Sequence, residues 1–207
     1  MQRTMQRLCV FCGSSPGANA AYLEAARALG AALVQKNTAL VYGGGSFGIM
    51  GEIARAVLVA GGEVIGVIPE DLLGKEVALD GLTDLRVVQT MTERKTLMID
   101  LSDGFITLPG GYGTFDELFE ILSISQLGKH DKPCGLLNVA HYYDDLLRFL
   151  DHSVDQLFVQ PEHRAMILVD DDPAALLDQL DVYQPPHLDK AAWVRRIDSA
   201  QRGGAQS

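Results

Sequence analysis

The stretch Leu108-Pro109-Gly110-Gly111-Tyr112-Gly113-Thr114-Phe115-Asp116-Glu117 joins an apolar run to a segment with helical periodicity. The apolar run covers residues 104–108, and the periodic segment continues to Leu127. A strand, a glycine-rich loop and a helix start, in this order, commonly cradle a phosphate. Glycines let the backbone approach the ligand, and the first helical N–H groups point toward it. The stretch therefore predicts a βα unit with an anion site at its turn.

The rest of the chain alternates short apolar runs with helical patterns. The predicted strands are residues 8–12, 39–42, 64–68, 85–88, 104–108, 134–137 and 166–169, and the predicted helices are residues 20–36, 49–60, 91–101, 114–127, 142–150 and 173–180. We therefore predict an α/β fold, a Rossmann-like doubly wound parallel sheet of about seven strands with helices on both faces. We expect residues 1–180 to form one nucleotide-binding domain and residues 181–207 a partly disordered C-terminal tail.

Bulk composition argues against two classes of partner. The 207 residues carry a net charge of −10, whereas non-specific nucleic-acid binding requires a basic surface that displaces counterions. No apolar run approaches the roughly 20 residues that a membrane-spanning helix needs. We therefore expect neither nucleic acid nor a membrane as a partner. The negative charge still allows a small anionic ligand that a few local donors hold.

Cysteine and histidine usage favours a reducing compartment without a metal site. The cysteines are Cys9, Cys12 and Cys134, a sparse and odd set. Cys9 and Cys12 lie at a strand spacing that turns them to opposite faces, so we predict buried packing residues. The five histidines lack metal-ligand spacing, and the apolar run at residues 8–12 is too short for a signal peptide. We expect a cytoplasmic location.

A second glycine-rich loop, Gly43-Gly44-Gly45-Ser46-Phe47-Gly48, follows the second predicted strand. It matches the G-x-G-x-x-G pattern of dinucleotide sites, for which Glu70 is a candidate acidic partner. That pattern normally follows the first strand, however, and this chain has another glycine loop at residues 110–113. Three interpretations stand: a nucleotide or phosphate contact, which we favour, a dinucleotide site, and close strand–helix packing alone.

Two segments fit the capping box that opens many helices. Thr114-x-x-Glu117 and Thr90-x-x-Glu93 both place a glutamate three residues after a threonine. In a capping box the threonine caps the helix and the glutamate returns to the cap N–H. For Thr90 and Glu93 we favour this purely structural role. For Glu117 the structural role and a catalytic role both stand.

Arg94 and Lys95 lie near the start of the helix that Thr90 opens. The helix dipole disfavours cations there by about 0.3–1 kcal/mol each, so a surface helix gains nothing from them. The arrangement makes sense if the cations face an anion, although both side chains could instead point into solvent. Because parallel strands end at one edge of the sheet, Arg94-Lys95 and the loop at residues 110–117 can share one cleft.

The segments Glu93-Arg94-Lys95 and Pro109-Gly110-Gly111-Tyr112-Gly113-Thr114-Phe115-Asp116-Glu117 resemble the Lonely Guy (LOG) family. These proteins are cytokinin riboside 5′-monophosphate phosphoribohydrolases, often mislabelled lysine decarboxylases. The similarity extends across most of the chain. It includes Cys12-Gly13-Ser14-Ser15, Tyr42-Gly43-Gly44-Gly45-Ser46-Phe47-Gly48-Ile49-Met50-Gly51, and the run from Gln126-Leu127-Gly128 to Gly135-Leu136-Leu137-Asn138-Val139.

The resemblance implies a role for individual residues of this chain. The family's catalytic pair falls on Arg94 and Glu117. Its nucleotide contacts fall on Glu76, Arg94, Lys95, the run Gly111, Tyr112, Gly113, Thr114 to Glu117, and Ser123. Plant members usually carry threonine at the Ser123 position, which keeps a hydroxyl group there. From the glycine-rich loops we add Gly110, Ser14, Gly43, Gly44 and Gly45 as candidate substrate contacts.

The resemblance further implies a reaction, a substrate and an assembly. The reaction is hydrolysis of the N-glycosidic bond of a nucleoside 5′-monophosphate, either a cytokinin nucleotide or AMP, without a cofactor. The family is at least dimeric, so we expect a homodimer or a higher homo-oligomer. Two alternatives stand beside this hypothesis. One is a non-catalytic carrier of a phosphorylated cofactor, like the molybdenum-cofactor carriers, and the other is a lysine decarboxylase that uses pyridoxal phosphate.

Overall fold

The computed structural model describes residues 5–73, 78–186 and 193–198. These residues contain seven strands and seven α-helices with the bounds given below, and residues 193–198 are also helical. The strands are β1 (Arg7–Phe11), β2 (Ala39–Tyr42), β3 (Val64–Pro69), β4 (Asp84–Val88), β5 (Gly104–Thr107), β6 (Cys134–Leu137) and β7 (Ile167–Asp170). The helices are α1 (Ala21–Gln35), α2 (Gly48–Val59), α3 (Met91–Leu101), α4 (Tyr112–Gln126), α5 (Asp144–Asp155), α6 (Pro161–Arg164) and α7 (Pro173–Val182).

All seven strands form one parallel sheet in the order β4-β3-β2-β1-β5-β6-β7. The predicted α/β fold is therefore confirmed. From β1 the chain first builds outward through β2, β3 and β4, and then returns to add β5 on the other side of β1. Folds of this kind bind ligands at the carboxyl ends of the strands beside this reversal. The β1–β5 boundary is thus the expected place for a site.

Helices cover both faces of the sheet, because the strand side chains are apolar on both sides. On one face α1, α2 and α7 pack in a cluster that includes Leu33, Ile53 and Leu177. On the other face Met98 of α3 and Ile121 of α4 pack against the sheet, and α5 continues this layer. In the described part of the chain, no helix is long and apolar enough to cross a membrane.

Several elements differ from the sequence prediction. Helix α4 begins at Tyr112, two residues before the predicted cap Thr114, and α6 has no counterpart in the prediction. Residues 193–198 are helical, although the sequence pattern fades after residue 180. The candidate contact Glu76 and the predicted disordered end at residues 201–207 lie outside the described residues.

Candidate active site

An open cavity of about 200 Å³ lies at the carboxyl edge of the sheet, beside the reversal between β1 and β5. It is lined by the end of β1 and the residues after it, by the end of β2, and by the facing ends of α3 and α4. The polar side chains in its wall are Ser14, Arg94, Thr114 and Glu117. The remaining lining residues are Val10, Phe11, Cys12, Gly13, Gly43, Met50, Met98, Gly111, Tyr112 and Gly113.

Helix α4 presents its N-terminus to this cavity. Its cap residue is Gly111, no side chain of a described residue caps the first-turn N–H groups, and the first intrahelical bond runs from Phe115 N to Gly111 O. Gly111, Tyr112, Gly113 and Thr114 all line the cavity. Uncapped amides and the positive end of a 15-residue helix dipole together form an anion site. The glycine loop therefore leads into an open helix N-terminus, as predicted, and this helix begins two residues earlier than expected.

The glycines of this loop have two different roles. A Cβ at Gly111 or Gly113 would meet no atom of a described residue within 4 Å beyond its chain neighbours, so packing in this part of the protein does not require glycine at either position. Both leave the helix amides open to a ligand. A Cβ at Gly110, in contrast, would lie 2.1 Å from the Thr114 hydroxyl. Gly110 is thus a packing residue that lets buried Thr114 approach the loop, and the predicted capping role of Thr114 is wrong.

Two tyrosines hold the loop from the side. The Tyr142 hydroxyl donates to Gly110 O at 2.6 Å, and the Tyr143 hydroxyl donates to Leu108 O at 2.7 Å. Immediately before them, Ala140 and His141 have φ values of 49° and 62°. Non-glycine residues rarely adopt this left-handed conformation. The turn therefore stores backbone strain at the point where it places both tyrosines against the glycine loop.

Arg94 is buried, with 7% of its surface exposed, and main-chain oxygens hold its guanidinium group. Its Nε donates to Val67 O at 3.1 Å, and its Nη2 donates to Gly43 O at 3.0 Å. Nη1 lies 3.4 Å from Met91 Sδ. The cation therefore points into the cavity and not into solvent. Its position near the start of α3 follows from these partners at the ends of β2 and β3.

Glu117 lies on α4 and lines the same cavity as Arg94. Burial raises the pKa of its carboxyl group to about 7, and the nearby Arg94 charge opposes this shift. A carboxyl group that titrates near neutral pH can exchange a proton with substrate or water under physiological conditions. The structure thus brings the two predicted catalytic side chains together around one pocket.

Lys95 has different neighbours from those expected of a phosphate contact. Its ammonium group lies 3.0 Å from Asp116 Oδ2 and 2.9 Å from Glu120 Oε2, and hydrogen bonds to Glu120 and Asp116 raise its pKa. It is not among the residues that line the cavity. Lys95 thus faces negative charge, as expected, but in this structure the charge belongs to two carboxylates of α4.

The glycine-rich loop at residues 43–48 serves packing more than ligand contact. A Cβ at Gly43 would lie 1.8 Å from Arg94 Nη2, so this glycine makes room for the guanidinium. Gly45 forms a bridge with Ala78, and Gly44 O accepts a hydrogen bond from Leu79 N at 3.4 Å. Of the three predicted contacts in this loop, only Gly43 lines the cavity. Close packing therefore explains Gly44 and Gly45 better than nucleotide binding does.

The other predicted contacts divide between two places. Ser14 lines the cavity. Ser123 lies six residues after Glu117 on α4, roughly 240° around the helix, and lines a separate recess with Phe119 and Leu150. In this chain Ser123 therefore does not share the cavity of Arg94 and Glu117.

Sequence reasoning missed several residues that form the site. Met50 and Met98 line the cavity, and Tyr142 and Tyr143 support its loop. These positions carry no local signal, because only the tertiary fold brings them to the carboxyl edge. Among the described residues, no group of three or more His, Cys, Asp or Glu side chains is placed to hold a metal ion.

Sequence comparison finds one family model and many curated relatives. The model, described as "Possible lysine decarboxylase", matches residues 50–180, which is more than half of the chain. A protein of Oryza sativa subsp. japonica, named a probable cytokinin riboside 5′-monophosphate phosphoribohydrolase, is 50% identical over 184 residues, 89% of this chain and 81% of the relative. A cytokinin riboside 5′-monophosphate phosphoribohydrolase of Arabidopsis thaliana is 46% identical over 197 residues, 94% of this chain and 92% of the relative.

Comparison with solved structures finds the same architecture in more distant proteins. The molybdenum cofactor carrier protein of Chlamydomonas reinhardtii aligns with a TM-score of 0.63 at 22% identity, over 84% of this chain and 96% of that one. The molybdenum cofactor binding protein of Rippkaea orientalis aligns with a TM-score of 0.63 at 21% identity, over 83% of this chain and 93% of that one. At this level of identity the likeness shows a shared fold only.

Proposed function

This chain belongs to the family of cytokinin riboside 5′-monophosphate phosphoribohydrolases, and we propose that it hydrolyses the N-glycosidic bond of a nucleoside 5′-monophosphate. The products are a free adenine-type base and ribose 5-phosphate. The observation that carries the proposal is the meeting of Arg94, Glu117 and the open N-terminus of α4 around one cavity. That combination supplies a carboxylate, a fixed cation and an anion site.

Glu117 serves the bond-breaking step. When the C1′–N bond of the nucleotide breaks, positive charge develops on the ribose, as in glycoside hydrolysis. The Glu117 carboxylate stabilises this charge and accepts a proton from the water whose oxygen bonds to C1′. The base leaves with the electron pair of the broken bond and takes up a proton. Because the pKa of Glu117 is about 7, its ionised form is available at neutral pH.

The α4 N-terminus and Arg94 bind the substrate. The amides of residues 112–114, with no Cβ at Gly111 or Gly113 to block them, suit the dianionic 5′-phosphate. A guanidinium group does not lose its proton in proteins, so Arg94 cannot protonate the leaving base. It contributes positive charge and hydrogen bonds to the bound nucleotide.

The name of the matching family model suggests a different chemistry, which the site does not fit. A pyridoxal phosphate decarboxylase needs a lysine whose amine is free to bond the cofactor covalently. Lys95 lies beside the site, but its pairing with Glu120 and Asp116 raises its pKa and keeps the amine protonated. No lysine in the described part of the chain lines the cavity. The donor set therefore favours hydrolysis of a nucleotide.

We also propose that the protein assembles as a homodimer through the outer face of α4. Phe119 on this face is 39% exposed, and Tyr112 at the helix start is 93% exposed. Phe115, Phe119 and Leu146 line an open recess, and a second lies around Ser123 on the same helix. Exposed aromatic side chains beside apolar recesses are typical of protein–protein interfaces.

The direct test is release of free base by the purified protein. We expect wild-type protein to release base from AMP or from an isopentenyl-adenosine monophosphate, as measured by chromatography. Replacing Glu117→Gln removes the charged oxygen and leaves the side-chain volume nearly unchanged, so we expect activity to fall by at least about 100-fold. A series of monophosphates then identifies the preferred base.

A neighbouring glutamate provides a matched control. Glu93 is exposed and receives the Gln89 N–H at the start of α3, and a glutamine fills the same capping role. We expect Glu93→Gln to retain base release. No base from the wild-type protein with any monophosphate would contradict the proposed reaction, whereas undiminished release by folded Glu117→Gln would contradict the role of Glu117.

A further inference from the structure

Lys95 directly follows Arg94 on α3, and its ammonium group reaches across to α4. It donates to Asp116 Oδ2 at 3.0 Å and lies 2.9 Å from Glu120 Oε2, and its side chain is only 17% exposed. Asp116 directly precedes Glu117, and Glu120 lies about one helical turn after it. One lysine thus binds the two carboxylates that flank the catalytic glutamate.

The same two helices carry the catalytic pair. Below the lysine, α3 and α4 join one apolar cluster through Met98 and Ile121. Apolar contact is non-directional and leaves the rotation of one helix against another weakly defined. A charge-assisted hydrogen bond from the ammonium to Asp116, together with its ion pair to Glu120, defines the rotation more sharply. The rotation of α3 against α4 decides how Arg94 and Glu117 face each other.

Glu117 is surrounded by charges that nearly balance. Among the described residues, the titratable groups around it are Arg94 and Lys95 from α3, Asp116 and Glu120 from α4, Cys9 from β1, and Cys12 directly after β1. Burial raises the pKa of both thiols, so they stay uncharged near neutral pH. Burial also raises the pKa of Glu117. The nearby carboxylates of Asp116 and Glu120 raise this pKa further, whereas the charges of Arg94 and Lys95 lower it. The balance therefore depends on the lysine.

We propose that Lys95 is a positioning residue that fixes α3 against α4 at the site and offsets the two carboxylates beside Glu117. The kinetic test of this proposal rests on the proposed function, because it measures hydrolysis of a nucleoside monophosphate. It assigns to Lys95 the alignment of the catalytic pair and the ionisation of Glu117, in place of a direct phosphate contact.

The test compares two lysines in the same chemical setting. Lys36, the C-cap residue directly after α1, also binds two carboxylates, Asp178 and Asp181 on α7, at 2.7 Å each, but it is not a cavity residue. Turnover of AMP is measured from pH 5 to pH 9 for wild type, Lys95→Met and Lys36→Met. For Lys95→Met we expect the acid limb of the kcat profile to move upward by about one pH unit, a loss of about tenfold on that limb. We expect an unchanged KM, and a wild-type profile for Lys36→Met.

A second measurement is independent of turnover. Carboxyl-labelled glutamate is titrated by NMR in the free protein, and the Glu117 signal is assigned by its loss in Glu117→Gln. We expect the Glu117 pKa to be higher in Lys95→Met than in wild type and unchanged in Lys36→Met. This readout separates failure of the present proposal from failure of the proposed reaction, because it needs no substrate.

Removing a carboxylate while keeping the lysine is expected to shift the Glu117 pKa in the opposite direction. We expect Glu120→Gln to lower the Glu117 pKa, and the triple variant Lys95→Met, Asp116→Asn, Glu120→Gln to return it toward the wild-type value. If Lys95 acted only as a phosphate contact, removal of the two carboxylates would not offset the loss of the lysine. If Lys95→Met raises KM for AMP with an unchanged kcat profile, or leaves the Glu117 titration as in wild type, the positioning role is wrong.

Discussion

At the scale of single residues, Arg94 shows how the site accommodates a buried cation that has no ion pair with any described residue. Carbonyl oxygens of Gly43 and Val67 accept from its guanidinium, and the Met91 sulfur lies beside it. Burial of an unsatisfied charge costs several kcal/mol, so these partners are necessary. Gly43 carries a double constraint, because its carbonyl binds the cation and its missing side chain leaves the space that the cation fills.

Gly43→Ala is therefore expected to damage the site through Arg94. The new Cβ would lie 1.8 Å from Nη2 and 2.5 Å from Met50 Cε, so the guanidinium must leave its carbonyl partners. We expect destabilisation of about 1–3 kcal/mol, typical of overpacking, together with loss of base release. Urea unfolding and the base-release assay measure the two effects.

A double-mutant cycle provides the control for this prediction. In an Arg94→Ala background the guanidinium is absent, and only the flexible end of Met50 stands in the way of the new methyl group. We expect the unfolding penalty of Gly43→Ala to shrink by at least about 1 kcal/mol in this background, as for residues in direct contact. Equal penalties in both backgrounds would show that Gly43 acts independently of Arg94.

The raised pKa of Glu117 predicts how stability depends on pH. The folded protein binds this proton up to about pH 7, whereas a glutamate in the unfolded chain releases it near pH 4.5. The stabilisation from the protonated group is therefore complete below pH 4.5 and is lost as the pH rises through about 7. The shift corresponds to about 3 kcal/mol, and Glu117→Gln does not undergo this loss.

The measurement is urea unfolding of wild type and Glu117→Gln between pH 4.5 and pH 8. We expect the stability of Glu117→Gln relative to wild type to increase by about 2–3 kcal/mol across this range. Glu24→Gln, at an exposed position of α1, serves as the control and is expected to follow the wild type. A parallel pH dependence of Glu117→Gln and wild type would mean that Glu117 titrates as an ordinary surface carboxylate.

Sequence patterns predicted that Arg94 and Glu117 meet at the site, but they did not predict that Lys95 lies outside the cavity. Arg94 and Glu117 stand out because a cation opposes the helix dipole and because a glycine-rich loop precedes the glutamate. The division between inward Arg94 and outward Lys95 follows from the rotation of α3 against α4. No local pattern encodes that rotation, so the ion pairs of Lys95 with Asp116 and Glu120 were not predictable.

At the scale of elements, the start of α3 was predictable and the start of α4 was not. Thr90 accepts from Glu93 N at 3.1 Å, as the capping box predicts, although Glu93 returns to Gln89 N, one residue before the cap. In α4 the same pattern at Thr114 lies inside the helix. Tertiary packing of Thr114 on Gly110 competes with the local preference, and the packing prevails.

Elements without strong periodicity were the hardest to predict. The four-residue helix α6 offers too few positions for a period to show. Residues 70–83 carry no clear periodicity in the sequence, and their described part contains a short 3₁₀ turn, Glu70–Leu72, and the bridge at Ala78. Strands with continuous apolar runs were located within one or two residues, because a sheet buried on both faces leaves such runs little alternative.

At the scale of the whole molecule, the strand order explains why the site draws on distant parts of the chain. Since β1 and β5 are neighbours, the loop after Phe11 and the loop after Thr107 meet, and Gly13 N donates to Pro109 O at 3.0 Å. The site thus includes residues more than 100 positions apart in sequence, from Val10 to Glu117. Local sequence motifs identify the loop after β1 and the loop after β5 separately. Only the alternation of strands and helices indicates that these two loops lie side by side.

The proposed homodimer is tested by the mass of the particle in solution. We expect light scattering after size-exclusion chromatography to give twice the mass of one chain. Phe119→Glu places a charge on the outer face of α4 and is expected to give a monomer. Val59→Glu is the control, because Val59 is 90% exposed on α2, on the other face of the sheet. A monomeric wild type, or a dimer unaffected by Phe119→Glu, would contradict this interface.

The anchoring of Arg94 also bears on the energetics of catalysis. A free arginine side chain has about 2 kcal/mol of rotamer entropy, which is lost when its geometry is fixed. Here the loss occurs during folding, because main-chain oxygens of β2 and β3 orient the guanidinium before any substrate binds. The nucleotide therefore meets a preorganised charge that needs little reorganisation as the bond breaks. The entropy cost of orienting Arg94 is thus met during folding and does not add to the activation barrier.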